Sequence, residues 1–204
     1  MPPRVLPPVL FALMALLIEI SCGGSATLPE LVDVDGNRYR TIQLGTQVWM
    51  AENLRATRTS EGMLVVSHPP NEDTTKVADY GRLYDWQTAI HIAPKGWHIP
   101  TDLEWSLLEE YLNTVDTIAI KDSLFWTDPS ARERQPAGFA ARAAGYWNDA
   151  GFDNRFGRTA VFWTATAGDS DLVWSRVITV EADSLRRAPQ HPHYGFSVRC
   201  VRDK

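Results

Sequence analysis

The chain has 204 residues, is 44% hydrophobic and 22% charged, and carries a net charge of −5. That length suits one domain, and the composition is that of a packed globular protein rather than a disordered chain. Lys+Arg 20 against Asp+Glu 25 with no basic block argues against a nucleic-acid partner, and two Cys make neither a disulfide scaffold nor a four-Cys zinc site.

The chain opens with Arg4 and an unbroken apolar run from Val9 to Ile18, too short to span a bilayer, which needs about 20 residues. A positive residue, a short apolar run and then small residues is signal-peptide form, predicted over residues 1–21. Cys22, after Ser21 and before Gly23-Gly24-Ser25, resembles the cleavage site of a bacterial lipoprotein, in which the Cys becomes the lipidated first residue. Glu19 stands where such sites usually carry an aliphatic residue, and ordinary secretion is the alternative. Residues 1–21 hold Arg4 and Glu19, so the charge of −5 belongs to the exported part, and all eight Trp lie downstream. No other long apolar run follows, so any membrane attachment is expected through the lipid alone.

Residues 22–30 read as lipidated Cys and tether, and residues 31–204 as one domain. Asp35-Gly36-Asn37 is a hairpin turn between predicted strands Leu31–Val34 and Tyr39–Leu44, and Val48-Trp49-Met50 begins a third strand. Residues 55–80 read as a long loop. A short helix is predicted over 84–92 and ends at Pro94-Lys95-Gly96. Thr101-x-x-Glu104 is a capping box that starts a helix over 102–113, with Leu103, Leu107, Leu108, Tyr111 and Leu112 as its apolar face. After Gly138 the pattern turns to strands: Phe139–Arg142, Val161–Thr166, Val173–Ile178 and Gly195–Arg202, with polar loops at 145–158 and 183–194. The class is α+β, two helices packed on antiparallel strands with long loops.

Four stretches occur in order: Asp35-Gly36-Asn37 through Trp49-Met50-Ala51-Glu52-Asn53-Leu54; Gly81-Arg82-Leu83-Tyr84-Asp85-Trp86; Gly96-Trp97-His98-Ile99-Pro100-Thr101-Asp102-x-Glu104-Trp105; and Ser197-Val198-Arg199-Cys200-Val201-Arg202-Asp203. Together they resemble the Fibrobacter succinogenes major paralogous domain, a family of mostly secreted and surface bacterial lipoproteins, over roughly residues 31–203. That family is similar in turn to C-type lectin-like and sulfatase-modifying-factor domains. The resemblance implies a C-type lectin-like fold with paired terminal strands and long loops on one side; it implies no activity. Family members often carry a Cys before the Pro-x-Gly-Trp stretch, a plausible partner for the Cys of the last strand. Here that position is Ala93, so Cys200 is expected as a buried thiol, with a bridge to Cys22 as the alternative.

A formylglycine-generating activity needs cysteine chemistry that this chain lacks. There is no Gly-x-Ser-x-Gly elbow, P-loop or dinucleotide fingerprint. Asp102 and Glu104 can be drawn as an acid/base pair, but capping and the helix dipole already account for both. Asp33-x-Asp35-Gly36-Asn37 begins like a calcium loop, yet Leu44 stands where the closing Glu belongs, so the turn reading is preferred. His91 with His98, and His191 with His193, lack a third ligand for zinc. No metal site and no cofactor are therefore predicted; calcium at the 148–154 or 169–171 loops stays open.

Trp49, Trp97, Trp105 and Trp163 are assigned to the core. Trp126, Trp147 and Trp174 lie at or near loops, where rings can stack on the apolar face of a sugar while Asn148, Asp149, Asn154 and Arg155 meet its hydroxyls. The functional expectation is a non-catalytic, surface-anchored module binding a glycan or an envelope or extracellular protein through its loops. The alternative is a structural or assembly component of the cell envelope with no small ligand.

Overall fold

The computed structural model describes residues 28, 30–115, 119–127, 136–152 and 155–204. The expected signal segment, Cys22, nearly all of the tether and Asn154 lie outside the described residues.

The first turn is built by one carboxylate. Asp33 Oδ1 accepts from the amides of Asp35 and Asn37, and Oδ2 from the Asn37 side chain and the Tyr39 hydroxyl at 2.6 Å. These bonds close β1 (Leu31–Val32) against β2 (Arg38–Tyr39), with Gly36 at φ 81. The predicted strand 39–44 is split at Arg40. Its second part, β3 (Thr41–Leu44), pairs with β4 (Gln47–Met50), and β4 is buried at every position.

The 55–80 stretch carries short helical turns, the last of them α1 (Val77–Tyr80). The helix predicted over 84–92 is only α2 (Trp86–Ala89), because Tyr84 is held extended by an antiparallel bridge to Phe196 and Asp85 caps the turn through Thr88 N–H. β5 (Trp97–His98) precedes α3 (Asp102–Thr114), whose capping box forms as expected: Thr101 Oγ1 accepts from Glu104 N–H, and Glu104 accepts from Thr101 N–H. Its buried face differs from the expected one. Trp105 and Leu108 are buried with Tyr111 and Leu112 beside them, whereas Leu103 is 70% exposed and Leu107 43%. Leu103 and Leu107 flank Trp105 by two residues on either side, which in a 3.6-residue turn places them on the far surface.

β6 (Ala119–Lys121) runs parallel to β7 (Pro136–Ala141), and β8 (Trp147–Asn148) forms a hairpin with β9 (Gly151–Phe152). Next come β10 (Thr159–Ala167), β11 (Val173–Thr179) and β12 (Ala182–Gln190), an antiparallel sheet in that order. β12 corrects the reading of 183–194 as loop: an edge strand tolerates Pro189, which lacks an N–H, and polar outward residues. The predicted strand 195–202 survives as single bridges at Gly195, Phe196 and Ser197 and a terminal β13 (Val201–Arg202), which lies between β4 and β5 in the sheet β3-β4-β13-β5. The class is α+β. Among the described residues no helix is long and apolar enough to cross a membrane.

β10 and β11 are buried on both sides, so this sheet feeds two cores. Val161, Trp163, Val173, Val177 and Ala188 pack with Met50, Leu54, Tyr84, Phe196 and Val198. Ala160, Phe162, Ile178 and Leu185 pack with Trp49, Trp105, Leu108, Trp126 and Phe139. In the second core Trp49 lies 4.8 Å from Trp105, ring centre to ring centre, and Trp105 lies 5.5 Å from Phe162. Cys200 is a buried free thiol whose pKa burial pushes well up, so it is inert packing.

Between the cores sits Arg199, fully buried. Its Nε donates to Asn53 Oδ1 at 2.8 Å, and its two amino groups donate to the carbonyls of Phe139 and Ala140. Arg199→Met keeps the volume but strands these acceptors, so it is expected to lower unfolding free energy by about 3–5 kcal/mol in a urea titration. A loss below about 1 kcal/mol would show that the bonds are not required.

Candidate functional site

A cavity of about 290 Å³ opens on one face of the β10–β12 sheet. Its floor is set by register. Thr159 pairs with Thr179, Val161 with Val177, and Val177 with Arg186, so these side chains project to one side in rows across three strands. Gln190, further along β12, closes the floor.

The opposite wall comes from two extended segments bridged at Trp147 and Gly195, each donating its amide to the other's carbonyl at 3.0 and 2.9 Å. The strand period of two then sorts their side chains. Tyr146, Asn148, Tyr194 and Phe196 face the cavity, while Trp147 and Gly195 face away. Phe196 meets Tyr146 edge-on at 6.0 Å and Tyr194 at 6.3 Å, giving an aromatic wall. Gly195 is favoured by close approach: a Cβ there would lie 3.1 Å from Trp147 Cβ and 3.4 Å from Leu83 Cβ, so the neighbours would have to give by a few tenths of an ångström.

Asn148 and Arg155, both expected at a ligand site, line this cavity. Trp147 does not; its ring stacks on His68 at 4.4 Å and 6°. Asp149 accepts from His193 Nε2 at 2.9 Å on the exposed surface. Trp126 corrects the reading of a loop platform: it is 4% exposed, belongs to the second core, and donates Nε1–H to Ala141 O at 2.7 Å. Trp174 is half-buried under the Arg187 guanidinium, which lies 3.3 Å from its ring centre and also pairs with Asp102. That face has no room for a sugar. Of the expected core Trp, Trp49, Trp105 and Trp163 are fully buried, while Trp97 is half-buried at the core margin. Arg186 and Gln190 lie on β12, whose polar sequence reads as loop, and Tyr146 and Tyr194 lie just outside named strands; the alternation Tyr146-Trp147-Asn148 and Tyr194-Gly195-Phe196 is the signal available for them.

The titratable groups singled out by sequence are engaged elsewhere. His98 Nδ1 donates to Asp203 at 2.6 Å and Nε2 to Glu104 at 2.9 Å. Burial alone lowers the His98 pKa, but these two hydrogen bonds outweigh it and hold the ring above its ordinary 6.5. Glu104 is also desolvated, yet the Thr101 amide and His98 hold its carboxyl below 4.5. Asp102 pairs with Arg176 at 2.8 Å and with Arg187. Among the described residues no group of three or more His, Cys, Asp or Glu is arranged to hold a metal ion.

A family model, the Fibrobacter succinogenes major domain, matches residues 42–202. The chain belongs to this family. No curated protein and no solved structure matches it. Within this Fibrobacter major domain, several residues of the four stretches that resemble the family serve as scaffold. Asn53 and Arg199 hydrogen-bond each other; a Cβ on Gly81 would sit 2.6 Å from Asn53 Cβ; Tyr84 O–H donates to Ala56 O; Thr101 and Glu104 cap α3. The eleven lining residues of the cavity all fall outside the four family stretches.

The His98 pair sets a pH dependence of stability. Because the folded His98 pKa is raised, its contribution is complete below the unfolded value of 6.5 and is lost as pH rises through the folded value. Glu104, lowered in the fold, contributes above 4.5 and loses that contribution as pH falls. Melting temperature is therefore expected to be highest at mildly acidic pH and to fall toward alkaline pH, a fall that His98→Gln flattens. With 39% of the His98 side chain exposed, screening keeps the effect to about 1 kcal/mol or less. A His98→Gln profile that keeps the full wild-type fall would overturn the assignment.

Proposed function

We propose that this protein is a non-catalytic binding module of the cell envelope that takes a glycan in the β10–β12 cavity. The observation that carries the reading is the cavity itself. It pairs two half-buried rings, Tyr146 and Tyr194, backed by the buried Phe196, with Thr179, Asn148 and Gln190 as hydroxyl and amide groups. A sugar ring needs this combination: an apolar surface for its C–H face and a few placed polar groups for its hydroxyls. A non-catalytic role is supported by how His98, Asp102 and Glu104 are used, in a cap and in ion pairs. Export with a lipid anchor at Cys22 is supported by the signal pattern of residues 1–22. A C-type lectin-like fold is supported by the closing strand β13 lying between β4 and β5, beside a capped helix.

A second reading, a structural or assembly component or a protein-binding surface, has its own observation. Met63, Leu64 and Val66 are all exposed in one segment, and exposed apolar residues grouped together mark contact surfaces.

A glycan array probed with the chain from residue 23 onward, with and without chelator, tests the first reading. Binding is expected in both conditions. Tyr194→Ala is expected to abolish it, with some loss of melting temperature because the ring packs against the first core but with the protein still folded at the assay temperature, and Trp174→Ala to leave it intact. Trp126→Ala is expected to act on stability instead, at about 3–5 kcal/mol, because it empties a core position. Absence of binding to every glycan would transfer the weight to the second reading.

A further inference from the structure

The protein is acidic overall, at −5. The cavity is not: its charged lining residues are Arg155 and Arg186, and none of the described residues that line it is Asp or Glu. Arg186 stands on β12 opposite Val177, in the row Val161–Val177–Arg186 that crosses the floor, with Thr179 nearby on β11. Arg186 is exposed at the sheet edge, so its attraction for an anion in the cavity is screened and falls as salt is added. Its planar fork matches a carboxylate, which can accept two parallel N–H bonds. The aromatic wall lies across from this floor. A ligand that fills the cavity must therefore bring an apolar face, hydroxyls and a negative charge together in one small unit.

We infer that the cavity selects an acidic sugar residue, of the uronic-acid type, whose carboxylate is held by Arg186 while its ring packs on Tyr194. This inference rests on the glycan reading and narrows it to a ligand class. A volume of about 290 Å³ is at the small end for ligand sites, so one residue of a chain enters and its neighbours stay outside.

The test uses paired ligands: uronic-acid oligosaccharides of several sugar configurations, and the same oligosaccharides with their carboxyls reduced to neutral alcohols. Calorimetry on the purified protein is expected to show binding to an acidic form and about tenfold weaker binding to its reduced partner, the loss due to one charge-assisted hydrogen bond. Added salt weakens the acidic form selectively. Arg186→Gln is expected to weaken the acidic form about tenfold and leave the reduced form unchanged, while Arg186→Lys, which keeps the charge but not the fork, falls between. Arg186 is exposed on an edge strand, so melting temperatures of both variants should match the wild type. Equal affinity for acidic and reduced forms, or full acidic affinity in Arg186→Gln, overturns the acidic preference and leaves the glycan reading standing. Binding to neither form, with none elsewhere on the array, overturns both.

Discussion

A guanidinium with no access to water must find all its acceptors inside the protein, and Arg199 draws them from two separate parts of the chain. The Asn53 amide oxygen comes from the loop after β4, and the Phe139 and Ala140 carbonyls come from β7. Phe139 and Phe162 supply ring faces at 4.4 and 5.6 Å. Burial pushes the Arg199 pKa down to about 9, still above neutrality, so the group stays a cation and its need for acceptors never relaxes. The backbone pays to meet that need: Ala140 sits at φ 48, a left-handed conformation that a Cβ disfavours by about 1–2 kcal/mol. Asn53 is fixed in turn, because its Nδ2 donates to Tyr80 O and to Ser197 Oγ.

Arg199 belongs to the segment that also shapes the cavity. Counting back along the extended chain, Ser197 bridges β10 at Phe162, Phe196 bridges Tyr84, and Gly195 bridges Trp147. Holding Arg199 between the cores therefore sets the register of everything before it, and with it the side to which Tyr194 and Phe196 point. A one-residue slip would turn both rings away from the cavity and bring Gly195 into their place. The site is thus a product of the same fixed strand that closes the two cores, and it needs no loop rearrangement to form its aromatic wall.

Local signals were legible in the sequence wherever a short motif satisfies its own hydrogen bonds. The Asp33 turn and the Thr101–Glu104 box are of this kind, since each closes within six residues. Longer-range facts were not. The buried face of α3 is chosen by Trp105 meeting Trp49 and Phe162, and these contacts do not appear in a leucine count along one helix. β12 reads as polar loop because it is an edge strand whose outward residues meet water. Arg176 and Arg187 on this sheet are spent on Asp102 and Glu109 of α3. The Trp residues misled for the opposite reason. A bulky ring near a loop signals surface only if nothing covers it, and here His68 and Arg187 cover Trp147 and Trp174.

The division between scaffold and lining bears on how the family likeness should be used. Gly81, Asn53, Tyr84, Thr101, Glu104 and Arg199 are each explained by a packing or hydrogen-bonding demand of the frame, so a chain that keeps them keeps the frame. None of them reaches the cavity. What the proposed site would take depends on Tyr194, Arg186, Gln190, Asn148 and their neighbours, whose inward and outward positions are fixed by the frame but whose side chains are not. An edge strand can change an exposed residue such as Arg186 without disturbing either core, because the backbone bonds that position it do not depend on its side chain. All the lining residues lie inside the 42–202 family match, yet none is demanded by the hydrogen bonds and close contacts that hold the frame, so the ligand proposed for the cavity must be argued from this chain's own side chains.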